Sequence, residues 1–326
     1  MPIGLLRGRL TREEDVETPL LELLRCPFCR SPLVEDDEGF ACARCARTFS
    51  RTGDGIPLML HAELPGARDK LREAAGWPEK ARAEGWYEPD DAVDAALPFV
   101  NRVLGWDEPT WEANAYSFQQ LLDRYVKDAR GLHVLEVGAA KGWASRFWRE
   151  RECEYVATDI LADPNIGLGR GAFYGEFPRV QADAEHLPFA DEQFDVTYCV
   201  ATLHHAVDLP QMVGEMARVT RRGGLVAGLN EGTRGLLRRA DNPDQAAEKE
   251  LGINEHVHTV WTYAAAFVRA GLVLRRLERA DGRLPVPFGY FLSLVPKIGM
   301  TAGTLAHLSA VRYTGVSIYA RRRLSA

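Results

Sequence analysis

Val134-Leu135-Glu136-Val137-Gly138-Ala139-Ala140-Lys141-Gly142-Trp143 decides the fold. A stretch of strand character carries an acid near its end, and the chain then turns through small residues toward a helix. A turn of this kind lets backbone N–H groups approach a ligand closely, with the positive end of a helix dipole behind them. From Leu132 onward strand and helix patterns alternate, which indicates a parallel sheet covered on both faces. The expected strands are 132–137, 154–158, 179–182, 194–199 and 224–229, with a last one at Thr314–Arg321. Helices are expected after Lys141, around Asp208–Arg222 and around Thr262–Ala270.

A nicotinamide-binding turn requires a third small residue where helix and strand pack closely. Here that position is Trp143, so a dinucleotide is disfavoured. The spacing fits E-x-G-x-G-x-G with Ala140 in the middle slot. Downstream, Thr158-Asp159-Ile160 places an acid at a strand end about 20 residues on. Gln181-Ala182-Asp183-Ala184, Ala201-Thr202-Leu203-His204-His205 and Arg221-Arg222-Gly223-Gly224 follow in order. Over roughly residues 115–280 this succession resembles the class I S-adenosylmethionine-dependent methyltransferases of the small-molecule type. The resemblance implies an α/β fold, a doubly wound, seven-stranded Rossmann-like sheet. It implies that Glu136, Gly138, Ala139, Ala140 and Gly142 frame the methionine end of S-adenosylmethionine. It also implies that Asp159 holds the ribose, that Asp183 and Ala184 border the adenine, and that Ile160 and Ala201 add cofactor contacts.

Of the six cysteines in 326 residues, four form two C-x-x-C pairs, Cys26/Cys29 and Cys42/Cys45. Each pair turns two thiolates toward one point, and two pairs complete a tetrahedral zinc shell. Leu-Leu-x-x-Leu-x-Cys-Pro-x-Cys and Asp54-Gly55-Ile56-Pro57 resemble the small zinc ribbon of the methyltransferase-activator type. A closed shell of four thiolates leaves no position for substrate, so the zinc is expected to be structural. The domain boundaries expected are 1–60 for the zinc ribbon, 61–128 for a helical linker or lid, and 129–326 for the catalytic domain with an apolar insertion at 284–311. In 61–128, Trp77, Trp86, Trp106 and Trp111 read as helix packing onto the larger domain, the alternative being an aromatic lid over a pocket.

The net charge is −6, which argues against a general nucleic-acid coat. The short runs Arg238-Arg239 and Arg321-Arg322-Arg323 read as solvated surface. Met1–Leu10 does not read as a secretory leader, no apolar run is long enough for a transmembrane span, and the clustered thiols point to a reducing compartment, so a cytoplasmic location is expected. The 284–311 segment reads as a packed broken helix, an acceptor wall, a membrane-surface contact or a homodimer face.

Methyl transfer needs alignment, exclusion of water and, for a hydroxyl acceptor, a base. The candidate bases are His205, Glu231, His256 and His258, and a second metal at Glu255, His256 and His258 is the weaker alternative for that polar cluster. The function expected is O-methylation of a small molecule, natural product or glycan. An RNA methyltransferase that holds its substrate with the ribbon, and a non-catalytic cofactor-binding scaffold, are the alternatives.

Overall fold

The computed structural model describes residues 20–234, 243–280 and 314–324. The 284–311 segment and Arg238-Arg239 lie outside the described residues. No helix among the described residues is long and apolar enough to cross a membrane.

After the single helical turn α1 (Leu20–Leu23), three short strands, β1 (Val34–Glu35), β2 (Gly39–Ala41) and β3 (Thr48–Ser50), form a small antiparallel sheet. Four helices follow: α2 (Ala67–Glu84), α3 (Asp91–Ala96), α4 (Val100–Leu104) and α5 (Pro109–Gln120). Asp90 caps α3 by accepting from the Ala92 and Val93 amides, and Pro109 opens α5, where its missing N–H has no intrahelical partner to lose. The larger domain then alternates β4 (His133–Val137), α6 (Ser145–Arg149), β5 (Glu154–Asp159), β6 (Arg179–Gln181), β7 (Phe194–Val200), α7 (Leu209–Val219) and β8 (Thr220–Thr233). It ends with α8 (Pro243–Glu250), α9 (Val260–Arg269), β9 (Leu272–Arg279) and β10 (Thr314–Arg322). The seven strands run in the order β6-β5-β4-β7-β8-β10-β9. The pairs among β6, β5, β4, β7 and β8 are parallel, whereas β10 runs antiparallel to both β8 and β9.

Three expectations need correction. The helix expected to reach Arg222 stops at Val219, and strand β8 begins at Thr220. Thr220 is β-branched and buried; its Oγ1 donates to the Met216 carbonyl at 2.6 Å, closing the helix while its backbone pairs with Phe194. Strand β9 is an addition to the expected set: consecutive arginines at 275 and 276 break the alternation that would announce it. The Arg321 and Arg322 guanidiniums are not simply solvated: Arg321 donates to the Gly223 carbonyl and Arg322 to that of Arg218, each at 3.0 Å, tying β10 to the start of β8.

The small sheet has no separate core. Leu24, Phe40, Phe49 and Met59 are buried in the same cluster as Leu135, Val156, Val180 and Phe189 of the larger domain. Backbone bonds fasten it further: Arg25 N donates to the Pro188 carbonyl at 2.8 Å, Met59 N to the Gln181 carbonyl at 2.8 Å, and Gln181 N to the Pro57 carbonyl at 2.9 Å. The chain after β3 thus runs alongside β6 and covers the edge that would otherwise stand open. The opposite face of the sheet is aromatic, with Phe118, Trp148, Tyr155, Tyr198 and Tyr319 all buried.

A single carboxylate ties the centre of that sheet. Glu136, in β4 between β5 and β7, is fully buried, and its Oε2 accepts from Tyr155 of β5 and, at 2.8 Å, from Tyr198 of β7. Burial outweighs both hydroxyls and pushes Glu136 up to about 7 from an ordinary 4.5. Between those values the folded protein keeps a proton that the unfolded chain has lost, so this group's contribution to stability falls as pH rises. The Glu136→Gln variant should therefore gain stability relative to the parent between pH 5 and pH 8, by an amount on the order of 3 kcal/mol or less. Denaturant midpoints of the two proteins at both pH values check this; parallel pH profiles would contradict it.

Candidate functional site

A cavity of about 370 Å3 opens over the carboxyl ends of β4, β5 and β7. This is where the strand order reverses direction across the sheet, the position at which open α/β sheets place ligands, and the volume is within the usual range of small-molecule sites. Gly138, Ala140, Asp159, Ile160, Ala184 and Ala201 from the expected set line it, joined by Ala182 and Thr202. Small side chains at five of these positions make the cavity.

The turn after β4 behaves differently from the expectation that its amides would face a ligand. Gly138 N and Ala139 N both donate to the Thr158 carbonyl, at 2.8 and 3.1 Å, and Gly142 N donates to that of Ala139. Ala140 N donates to Asp159 Oδ2 at 2.8 Å. Four amides of the turn are therefore satisfied from within, and the cavity receives its smooth apolar surface instead. Gly138 is left-handed, and a Cβ there would stand 2.3 Å from the Thr202 side chain. Ala140 is left-handed as well, with φ +47°, a conformation that costs an L-residue about 1 kcal/mol.

Asp159 is the polar centre of the strand ends. Its Oδ1 accepts from Leu161 N at 2.9 Å and its Oδ2 from Ala140 N. Burial pushes it up to about 6 despite these two bonds. Each oxygen keeps a further lone pair for a ligand hydroxyl.

Four of the expected residues do not reach the cavity wall. Glu136 lies under the sheet with its two tyrosines, and Ala139 packs into the aromatic cluster with Trp143. Gly142 gives way to Phe177, whose ring a Cβ would meet at 2.6 Å. Asp183 is fully buried and turns back on its own loop, accepting from Glu185 N and pairing with His186 Nδ1, both at 2.9 Å.

Residues before β4 also line the cavity. Lys70, Glu73 and Trp77 of α2 line it with Trp86 and Trp111. Trp77, Trp86 and Trp111 thus face the cavity, and Trp111 also packs against the aromatic cluster of the larger domain, whereas Trp106 is exposed and lies off the cavity. Spacing at 70, 73 and 77 puts all three α2 residues on one helix face. That charged stripe on a buried face was the available signal, and sequence reasoning passed over Lys70 and Glu73. Lys70 Nζ donates to the His205 carbonyl at 2.8 Å and pairs with Glu185 at 3.4 Å. Buried Asp94 of α3 holds Lys141 at 2.7 Å and Arg170 at 2.8 Å, fastening α3 to the turn after β4.

Of the four candidate bases only His205 lines the cavity. Its Nδ1 lies 3.1 Å from Glu73 Oε1 and 2.6 Å from the Asn254 carbonyl, and Trp77 meets its ring edge-on. Burial works against its charged form, but Glu73 prevails and holds His205 above its ordinary value. Glu231 is completely buried and organises the loop after β7, accepting from Thr202 N at 3.0 Å and pairing with His204 Nδ1 at 3.1 Å. His256 and His258 line a different cavity, of about 240 Å3, with Asp208, Thr262 and Arg269. Burial pushes His258 down to about 4. The metal set Glu255, His256 and His258 is not brought together either. Glu255 faces His204 and His205 while its neighbours at 256 and 258 face the second cavity, as an extended stretch requires of alternate residues.

The four cysteines do converge. Cys26 and Cys45 Sγ are 3.5 Å apart, as are those of Cys29 and Cys42, and all four lie within 4.8 Å of one another.

The profile of the methyltransferase domain family matches residues 135–228. Malonyl-acyl-carrier-protein O-methyltransferase of Enterobacter lignolyticus is 28% identical over 178 residues, 55% of this chain and 67% of that protein. Methyltransferase GfsG of Streptomyces halstedii is 29% identical over 202 residues, 59% of this chain and 72% of that protein. Among solved structures, a methyltransferase from Galdieria sulphuraria named for sarcosine and dimethylglycine shares the fold. It has a TM-score of 0.50 and 14% identity, covering 76% of this chain and 98% of that one. The chain carries a class I methyltransferase domain on a Rossmann-like sheet and is an S-adenosylmethionine-dependent methyltransferase.

The backbone geometry of the turn yields a direct test. Ala140→Gly removes the left-handed penalty and should raise stability by up to about 1 kcal/mol. Gly138→Ala forces a Cβ into Thr202 and should lower it by more. Thermal unfolding of the two variants reads both signs, and equal midpoints would contradict the assigned turn.

Proposed function

We propose that this enzyme methylates a hydroxyl of a small-molecule acceptor held between the strand ends and the tryptophan lid. The observation that carries the proposal is the His205–Glu73 pair, 3.1 Å apart, on the wall of the same cavity that Asp159 lines. A hydroxyl acceptor loses its proton as it attacks, and the carboxylate–imidazole pair on that wall is placed to receive it. The name of the 28%-identical relative, an O-methyltransferase, supports oxygen as the accepting atom.

Asp159 would hold the ribose hydroxyls of S-adenosylmethionine on the free lone pairs of its two oxygens. Gly138, Ala140 and Ala201 would pass along its amino-acid end, and Ile160 and Ala184 would border ribose and adenine. The donor set suits the molecule: one carboxylate at a strand end for a diol, and small apolar residues for an adenosyl surface. When bound, the cofactor supplies an electrophilic sulfonium methyl group. The protein's part is to align the acceptor oxygen, keep water out beneath Trp77, Trp86 and Trp111, and receive the proton at the His205–Glu73 pair. Glu136, Ala139, Gly142 and Asp183 would shape the walls from behind.

The cluster of Cys26, Cys29, Cys42 and Cys45 would hold one structural zinc. A tetrahedral site with zinc–sulfur bonds of about 2.3 Å places sulfurs about 3.8 Å apart, close to the spacing found. Thiols kept for metal fit a reducing compartment such as the cytoplasm. The net charge of −6 favours a small acceptor over RNA.

Incubating extracts with deuterated-methyl cofactor and the full chain should yield a new labelled small molecule by mass spectrometry. Glu73→Gln should reduce its formation about 100-fold while S-adenosylhomocysteine affinity stays within about twofold. Unchanged turnover in that variant would remove the assigned proton acceptor. Metal analysis should find about one zinc per chain, and Cys42→Ser should lose it and unfold at lower temperature, because the ribbon shares the main core. Metal-free wild-type protein of full stability would contradict the zinc site.

A further inference from the structure

We propose that a divalent first-row cation binds at the cavity floor, held by His204 Nε2, His205 Nδ1 and a Glu255 carboxylate oxygen, and activates the acceptor. This deepens the proposed function and rests on it, since the acceptor must present an oxygen at the same place. His204, His205 and Glu255 are the one such group besides the four cysteines among the described residues. Their ligand atoms lie within 4.8 Å of one another. Glu255 Oε1 is 3.9 Å from His204 Nε2 and 3.7 Å from His205 Nδ1. Atoms each about 2.1 Å from one ion are separated by such distances when the angle between them is wide.

A second, independent feature orients the set. Glu231 Oε2 pairs with His204 Nδ1 at 3.1 Å, which places the ring proton on Nδ1 and leaves the Nε2 lone pair facing Glu255. A carboxylate behind a histidine is the usual support of a metal-ligating imidazole. His205 Nδ1 presently shares a proton with the Asn254 carbonyl and Glu73; the cation would take the place of that proton. The local charge agrees. Glu73, Glu231 and Glu255 are buried together, while Lys70, the cation of α2 in this network, is already paired with Glu185. A 2+ ion among neutral imidazoles would balance the excess acid.

Three protein ligands leave coordination positions free, and one of the three, His205, lines the cavity together with Glu73. The acceptor class is then an oxygen chelate, a hydroxyl with a second oxygen on the neighbouring carbon, such as a vicinal diol, a catechol or a 2-hydroxy acid. The bound hydroxyl gives its proton to Glu73. Its oxygen lone pair forms the new bond to the methyl carbon as the carbon–sulfur bond breaks and its electron pair passes to sulfur. The cation is unchanged throughout.

Manganese is the probe of choice because hard Mn2+ does not displace zinc from thiolates. Zinc-loaded full-length protein is titrated with Mn2+, and the free ion is followed by its paramagnetic resonance signal; Co2+ is tried in parallel by its ligand-field absorption. The expected result is one ion bound per chain with zinc content unchanged, and at least tenfold weaker binding in Glu255→Gln and in His204→Asn. His256→Ala, from the other cavity, should bind as the parent does. S-adenosylhomocysteine affinity, measured on every variant, should stay at the parent's value and so shows that each is folded. Failure of the parent to bind either ion, or equal binding in Glu255→Gln, overturns the cation site. If S-adenosylhomocysteine still binds and Glu73→Gln still impairs turnover, the proposed function survives that failure. Loss of both in the parent would sink the function as well.

Discussion

The Asp159 carboxylate is the constraint on which the rest of the site depends. It stands at the end of β5 and accepts the amide of Ala140 from the turn after the neighbouring strand β4 and that of Leu161 from its own loop. With Thr158 accepting from Gly138 and Ala139, the two strand ends become one rigid corner. The turn is thereby closed on itself and cannot use these amides on a ligand. What it offers instead is proximity, through residues small enough for an adenosyl surface to lie against. A left-handed alanine at position 140 is the strained element of that corner, held because Asp159 and the buried strands determine its path.

Two elements then complete the cavity from opposite sides. Helix α2 descends from above and places Lys70, Glu73 and Trp77 on its wall. The cysteine-bearing sheet approaches from the side, burying Leu24, Phe49 and Met59 in the main core and covering the edge of β6. Gln181, bonded in its backbone to Pro57 and Met59, also donates from its side chain to the Ile160 carbonyl at 2.9 Å. One glutamine thus links the small sheet to a residue lining the cavity. The small sheet is part of the architecture of the site and not an appendage to it.

The sequence was most legible where function and local geometry coincide. Gly138 and Asp159 are recognisable because a tight turn and a strand-end acid recur at set spacing, and the paired cysteines because metal coordination dictates theirs. Legibility ended where the site is assembled by tertiary contact. Glu73 is remote from His205 along the chain, and nothing in the local pattern of α2 announces the meeting except a lysine, a glutamate and a tryptophan on one helix face. The Asn254–His258 stretch misled for a related reason: its polar residues sit together in sequence, but an extended backbone sends Glu255 to one cavity and His256 and His258 to another. Strand β9 was hidden by its arginines, and Glu136 by its position. An acid at a strand end beside a ligand turn invites a binding role, whereas this one is a pin between Tyr155 and Tyr198.

The central claim is that the corner built on Asp159 is where the cofactor is held. Titration calorimetry of S-adenosylhomocysteine into the wild-type chain and into Asp159→Asn tests it most directly. The asparagine can still accept one amide bond, so the corner stays folded, but it no longer offers two anionic oxygens to a ribose. The account predicts one binding site per chain in the wild type and at least tenfold weaker binding in the variant, with little change in thermal stability. Equal affinities, or no binding by the intact wild type, would contradict it.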